Sequence, residues 1–409
     1  MNCFCCFHAA STGLTAQRAK KLLIPKKIKK LMIPIKISET KINELLSIFE
    51  SFTASFIIEE VDDFDQYGLE EPTCTINIET SEDSYQITLG NYSTMDSKRY
   101  VSIDDGNVYL VSSDPLDTYG IELSAMIQND TIPSFSSANI LSIQFSGEEN
   151  YTITYEEDSI YTYCDDDIYF TEIDGSPHPL DTSNITTYLG LMSNMTLSDY
   201  VTYNVSDEEL HNYGLDDPDL TVEIAYSFED NDDENNFTLH IAANPNESDD
   251  DIAGYLQVGD SKIIYPLTSS QYDNLTAVSY NELRHQEVMS ADFDDITQID
   301  ITLEDKEYTI QADDESYYYN DEEIEIDDFK NALEALTADS FTDEQPAQKE
   351  EIALILHLNN ENYSQITIIL YRYDGSYCLA EVDGETVSLV ERSYVVDLIE
   401  TVNAIVLNE

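Results

Sequence analysis

The sequence predicts an α+β protein made of tandem repeats, each with antiparallel strands and one amphipathic helix. Three observations predict it: three apolar helix stripes, three glycine-containing hairpins that follow them, and a motif written twice. The motif is YGLEEP from Tyr67 and YGLDDP from Tyr213, 146 positions apart.

The helices come first. Ile42, Leu45, Leu46 and Phe49 fall at i, i+3, i+4 and i+7. Ile185, Tyr188, Leu189 and Met192 repeat the spacing, and so do Phe329, Ala332, Leu333 and Leu336. Each set lines one face of a 3.6-residue helix, which suits it to lie on a sheet.

The hairpins turn at Asp105-Gly106, Gly259-Asp260 and Asp383-Gly384, each between alternating apolar residues. Glycine accepts the positive φ that tight hairpin turns demand. The second and third copies share a front end. ILSIQFSGEENYTITY, with Ile140, Ile143 and Phe145, is answered by ITQIDITLEDKEYTIQ, with Ile296, Ile299 and Ile301. Both predict antiparallel strands about a polar turn. The resulting domains are 1–32, a basic and disordered N-terminal segment; 33–138, a first repeat without its front strands; 139–290, a second repeat; and 291–409, a third repeat lacking YGLxxP. The third copy carries only FTDEQP at that point. The period is domain-sized, unlike the short units of a solenoid.

The motif predicts a helix stop and strand start. Ser206 and Glu209 have capping-box spacing. Gly214 then takes the left-handed position after the helix, Leu215 packs back on Leu210, and Pro218 blocks further helix. Tyr67, Gly68, Leu69 and Pro72 fit the same template as Tyr213, Gly214, Leu215 and Pro218, with Phe64 as the earlier apolar partner. The acid pairs Glu70-Glu71 and Asp216-Asp217 fall on the exposed turn, where a cation or partner has access.

The charge is extreme and uneven. The 409 residues carry a formal net charge of −65, with 42% hydrophobic residues and no Trp. Nine of 18 Lys+Arg lie in residues 1–41, where Glu39 is the only acid, leaving nine bases against 82 acids thereafter. Such a body repels nucleic acid and anionic membranes and gathers divalent cations. Of six cysteines, Cys74, Cys164 and Cys378 are isolated in strand-like contexts and are expected to be buried small hydrophobes. Cys3, Cys5 and Cys6 have no second pair to complete a zinc site. Lysines and prolines interrupt AKKLLIPKKIKKLMIPIKI too often for a membrane span. That segment suits an anionic membrane surface or the remnant of a misjudged start.

The order of strands, helix, YGLxxP, strands and Asp-Gly hairpin resembles the bacterial domain-of-unknown-function family four-three-four-zero, over about residues 35–409. The resemblance implies repeats outside the cytoplasm, held at the membrane by an N-terminal hydrophobic helix and placed beside ABC transporters of the gliding-motility type. Neither that anchor nor the front of the first repeat is visible in this chain. The family has no established catalytic residues to transfer.

Chemistry is sparse. The sequence has no P-loop, no GxGxxG after a strand, no GxSxG and no HExxH. His8, His178, His211, His240, His285 and His357 are scattered, and His240 and His357 read as ordinary strand residues. No catalytic or cofactor-binding residue is assigned. Asp230, Asp232 and Glu234 alternate within EDNDDENN and are weak candidates for calcium, which prefers oxygen ligands, although the EF-hand glycine and distal glutamate are missing. NESDDD, from Asn246 to Asp251, follows across a strand. Asn-x-Ser/Thr triplets at Asn91, Asn129, Asn194 and Asn274 fit a chain rich in these residues. The expectation is a non-enzymatic extracytoplasmic scaffold or accessory component of a transport complex, with protein partners. The alternatives are a cation-dependent cell-surface binding module and, behind it, a carboxylate hydrolase.

Overall fold

All three predicted hairpins form as antiparallel pairs, each inside a separate sheet. The structure is a computed structural model that describes residues 6–9, 36–50, 53–80, 84–228, 231–246, 251–313 and 316–407. The chain divides into two units: Met1–Asp130 with Tyr200–Val205, and Thr131–Asp199 with Ser206–Glu409.

The first unit runs β1 (Cys6–Ala9), α1 (Glu39–Glu50), β2 (Ala54–Ile58), β3 (Cys74–Thr80), β4 (Ser84–Ser93), β5 (Lys98–Ser102), β6 (Val108–Val111) and α2 (Leu116–Tyr119). Its sheet order is β1-β3-β4-β5-β6-β2. Leu45 of α1 is buried among Cys74, Ile76, Ile87, Leu89 and Val101 with Ile42 packed against the same core, so these two residues of the predicted stripe face the sheet, while the side chains of Leu46 and Phe49 lie outside the description. The Tyr119 hydroxyl donates to the Leu45 carbonyl at 2.9 Å and ties α2 to α1. Arg99 is 9% exposed, and its guanidinium grips Asp114 through Nε (2.5 Å) and Nη2 (2.7 Å) while Nη1 reaches the Gly90 carbonyl. Burial pulls the Asp114 pKa up, but the Arg99 bonds outweigh it and hold the carboxyl below its ordinary value. Within this unit Tyr200 also donates to the Ser124 carbonyl at 2.5 Å.

The second unit holds two sheets. One contains β7 (Ile140–Ser146), β8 (Asn150–Tyr155), β9 (Tyr169–Ile173), β10 (Ser176–Leu180), β11 (Leu220–Phe228), β12 (Asn231–Ala243), β13 (Gly254–Val258) and β14 (Tyr265–Leu267). It is accompanied by α3 (Thr182–Ser193), α4 (Ser269–Thr276) and α5 (Tyr280–Leu283). The other contains β15 (Ile296–Leu303), β16 (Lys306–Asp313), β17 (Ser316–Tyr319), β18 (Glu322–Ile324), β19 (Ala338–Phe341), β20 (Glu350–Leu358), β21 (Gln365–Arg372), β22 (Tyr377–Val382) and β23 (Glu385–Glu391). Its helices are α6 (Asp327–Glu334) and α7 (Arg392–Leu407).

The sheet orders expose a common template: β10-β9-β8-β7-β11-β12-β13-β14 and β18-β17-β16-β15-β20-β21-β22-β23-β19. The front hairpin predicted at Ile140 and Ile296 lies antiparallel to the first strand of the rear half in both. In the first sheet the corresponding place beside β3 is taken by β1, running parallel. Of the segment 1–32 expected to be disordered, Cys6–Ala9 is strand β1, and residues 1–5 and 10–32 lie outside the described residues. Ile185, Tyr188, Leu189 and Met192 are all buried on α3, as are Phe329 and Leu333 on α6.

One helix per repeat is too few. The third repeat closes with α7, whose Val395, Leu398 and Val402 are fully buried in the core that also holds Leu354 and Phe329. Their spacing is helical, but a third strand-rich hairpin ends immediately before them. Cys164 also departs from expectation: Cys74 and Cys378 are buried in strands, whereas Cys164 is half-buried in the loop between β8 and β9. Burial pushes the Cys378 thiol up to about 12 and the Cys164 thiol to about 11, which keeps both protonated and unreactive.

Turn geometry follows the residues. Asp383 (φ 51°) and Gly384 (φ 85°) join Val382 to its partner Glu385 in a two-residue turn with both φ positive. Glu304 (φ 52°) and Asp305 (φ 62°) make the same kind of turn between Leu303 and Lys306 without glycine.

Candidate functional site

The two YGLxxP turns superimpose in their bonding. Asp207–Tyr213 is a 3-10 helix with Ser206 and Glu209 closing the capping box. Gly214 has φ 71°, and its N–H donates to the His211 carbonyl while the Leu215 N–H donates to the Leu210 carbonyl at 3.2 Å. Asp65–Tyr67 ends identically, with Gly68 at φ 67° and the Leu69 N–H donating to the Phe64 carbonyl at 3.1 Å. These paired bonds are those of a Schellman cap. Leu69 and Leu215 are buried, whereas Glu70, Glu71, Asp216 and Asp217 are exposed.

The motif tyrosines have a partner that sequence reading missed. The Tyr67 ring lies 5.0 Å from Tyr100 on β5, and the Tyr213 ring lies 5.0 Å from Tyr255 on β13. The two strands hold the same place in their sheets, so the turn is stapled to its sheet in the same way twice. Beside the second turn is an open cleft of about 400 Å³ whose lining includes Asp207, Asp216, His240, Gln257 and Lys262. Lys262 pairs with the exposed Asp207 at 2.6 Å.

Of the calcium candidates, Asp230 lies outside the described residues. Asp232 falls within β12, and Glu234 is exposed on that strand opposite Ser227. From Asn231 onward the run belongs to strand β12 at the end of a hairpin, with Glu234, Asn235 and Asn236 paired to β11. Most of NESDDD, residues 247–250, also lies outside the described residues.

A different constellation forms where the second and third repeats meet, inside the second unit. The β8–β9 loop places Asp167 at 3% exposure. Its Oδ2 accepts from Thr162 Oγ1 at 2.7 Å, and its Oδ1 lies 2.8 Å from His285 Nε2. A carboxylate only accepts, so Nε2 carries the proton in this bond. Asp181 caps α3, its Oδ1 accepting from the Ser183 and Asn184 N–H groups, and its own N–H donates to the Leu283 carbonyl. Glu287 Oε2 stands 3.9 Å from His285 Nδ1. The backbone holds Glu287 by a bridge to Thr337, flanked by Val288 N–H to Leu336 and Ala338 N–H to Gln286.

Ligating atoms of Asp181, His285 and Glu287 all lie within 4.8 Å of one another. Burial opposes charge on His285, but the Asp167 bond and the surrounding carboxylates outweigh it and raise the imidazole pKa above its ordinary value. The same junction carries Tyr163 edge-on to Tyr363 at 5.7 Å and the Arg284 guanidinium 4.2 Å over the Phe341 ring. His285 and Asp167 are 118 positions apart, so no local motif announces the pair. The only sequence signal was the i, i+2 spacing of His285 and Glu287.

The third repeat also carries two open polar clefts. One, of about 510 Å³, runs between α6 and α7 and includes Glu323, Glu325, Asp328, Asp397 and Glu400. The other, of about 690 Å³, includes Gln298, Asp313, Tyr318 and His357. There His357, read from sequence as an ordinary strand residue, bonds Asp300 across the β15–β20 pair at 2.8 Å. Among the described residues no helix is long and apolar enough to cross a membrane.

Comparison with known proteins gives one family match. The model described as "Domain of unknown function (DUF4340)" matches residues 33–167 and 173–354, two segments in tandem. No curated protein matches the chain at a significant level.

Proposed function

The chain belongs to the DUF4340 family, and from that premise we propose that it is a non-enzymatic extracytoplasmic scaffold, an accessory component of a membrane-associated ABC-type transport complex. The transporter and the location come from the resemblance of the repeats. The observation that carries a scaffold role is the edge of the first sheet. β2 ends the strand order, and there Phe56 is 62% and Ile57 39% exposed. They are followed by the exposed acids Glu59, Glu60, Asp62 and Asp63.

A sheet edge with apolar side chains on both faces suits addition of an extended strand. The neighbouring carboxylates select a segment that combines apolar residues with Lys or Arg. Cross-linking in intact cells, followed by co-purification from membranes, tests this. Recovery of transporter subunits, reduced by Phe56→Lys with Ile57→Lys, is the expected result. Repeated failure to recover any subunit would sink the proposal. Protease shaving of intact cells tests the location separately, since peptides from 139–409 are released without lysis only if the repeats are outside.

A second reading, a cell-surface binding module that needs a divalent cation, is favoured by the carboxylates around His285. Glycan or matrix binding abolished by a chelator would select it.

A further inference from the structure

We propose that His285 Nδ1, with the carboxylates of Asp181 and Glu287, forms a binding site for a divalent ion of the zinc class at the junction of the second and third repeats. The inference does not depend on the scaffold reading.

The first argument is orientation. Asp167 is buried, anchored by Thr162, and bonded to His285 Nε2. That bond occupies Nε2 and fixes the ring, which leaves Nδ1 on the side of Glu287 as the nitrogen open to an ion. A carboxylate behind one imidazole nitrogen and an ion before the other is the usual arrangement of metal-bound histidine, because the outer carboxylate sets the tautomer and strengthens the ligand.

The second argument is spacing. Nδ1 and Glu287 Oε2 are 3.9 Å apart, too far for a hydrogen bond. Ligands at about 2.0–2.1 Å from a tetrahedral ion sit roughly 3.3 Å from one another. The three groups, within 4.8 Å, therefore need only a modest contraction, and the half-exposed Glu287 side chain has the freedom to supply it. The backbone positions are already set by the α3 cap, the Asp181–Leu283 bond and the Glu287–Thr337 bridge.

The third argument is ligand type. One imidazole and two carboxylates match zinc-class ions, whereas calcium and magnesium take oxygen donors throughout. Three protein ligands leave a fourth position for water. Asp181 starts α3 of the second repeat and Glu287 is bridged to the third, so a bound ion would clamp the two together.

The test uses the full chain, stripped with chelator and titrated with Co²⁺ and then Zn²⁺ in the presence of excess magnesium, which occupies the general carboxylate surface. The expected result is one Co²⁺ per chain with the visible absorption of a four-coordinate nitrogen–oxygen site, displaced by Zn²⁺. Glu287→Gln, a change at an exposed side chain, should weaken binding by at least about tenfold. Asp167→Asn should weaken it about 10–100-fold by loosening the ring. A signal absent in magnesium, showing only adventitious surface binding, would overturn the proposal. So would a Glu287→Gln protein that folds and titrates as the parent does.

Discussion

Replacing Gly214 by alanine gives the sharpest test of how the YGLxxP turn works. At φ 71° an L-residue is strained by about 1–2 kcal/mol. Space adds to this, since the new Cβ would sit 3.1 Å from Ala242 Cβ and 3.2 Å from the Ala243 carbonyl oxygen. Both belong to β12, where they pair with Tyr255 and Gly254 of β13 and the Ala243 N–H donates to Asp219 at 2.6 Å, which leaves the strand little room to withdraw. A further ~1 kcal/mol from overpacking is reasonable, for a total of about 2–3 kcal/mol. Valine, branched at Cβ, should cost more than alanine.

Gly190 supplies the opposite control. It lies in α3, where an added Cβ meets nothing within 4 Å, so Gly190→Ala should stabilise by about 0.5–1 kcal/mol. Scanning calorimetry separates the two, because each kcal/mol moves the midpoint by about 2–4 °C in a body of this size. Gly214→Ala should lower the midpoint of the second unit and Gly190→Ala should raise it. A Gly214→Ala protein that melts with the parent would refute the cap reading.

Three other expectations concern the packing around these features. Tyr255→Leu should cost about 1 kcal/mol by removing the edge-to-face partner of Tyr213, read as a lower midpoint; equal midpoints would count against the staple. Phe341→Ala should remove about 0.5–2 kcal/mol of cation–π attraction to Arg284. Faster amide exchange at Val288 and Ala338 is the readout, and unchanged exchange would show that the ring does not hold the junction. The Arg99–Asp114 pair should make the first unit acid-sensitive. The folded Asp114 pKa lies below the unfolded value near 3.8, so its contribution is full above that value and is lost as pH falls below it. Acid titration of Asp114→Ala, already destabilised by about 3 kcal/mol, should lack that component of the pH dependence.

Much of the architecture was written locally. Helix stripes, Asp-Gly turns and the Schellman pattern each depend on residues within a few positions, where backbone sterics and apolar spacing act without outside help. That is why Ile185, Tyr188, Leu189 and Met192 came out buried together, and why Gly68 and Gly214 both took left-handed backbone. Helix α7 was equally local in its Val395, Leu398 and Val402 spacing, but it was hidden behind the strand pattern of β23. Cys164 misled for a related reason, because alternation in YTYC suggests a strand where, among the described residues, the segment is a loop between β8 and β9.

The sequence by itself thus determined the three helix stripes, the hairpins and the helix stops. Only the tertiary structure decided which distant side chains share a site. Asp167, Asp181, His285 and Glu287 meet because one loop, one helix cap and one inter-repeat linker converge. Among 83 acidic residues no composition or spacing could single out the carboxylates that end up facing one imidazole. The physical reason is that a contact across 118 positions is fixed by the packing of whole sheets, whereas a cap or turn is fixed by the few bonds of its own chain.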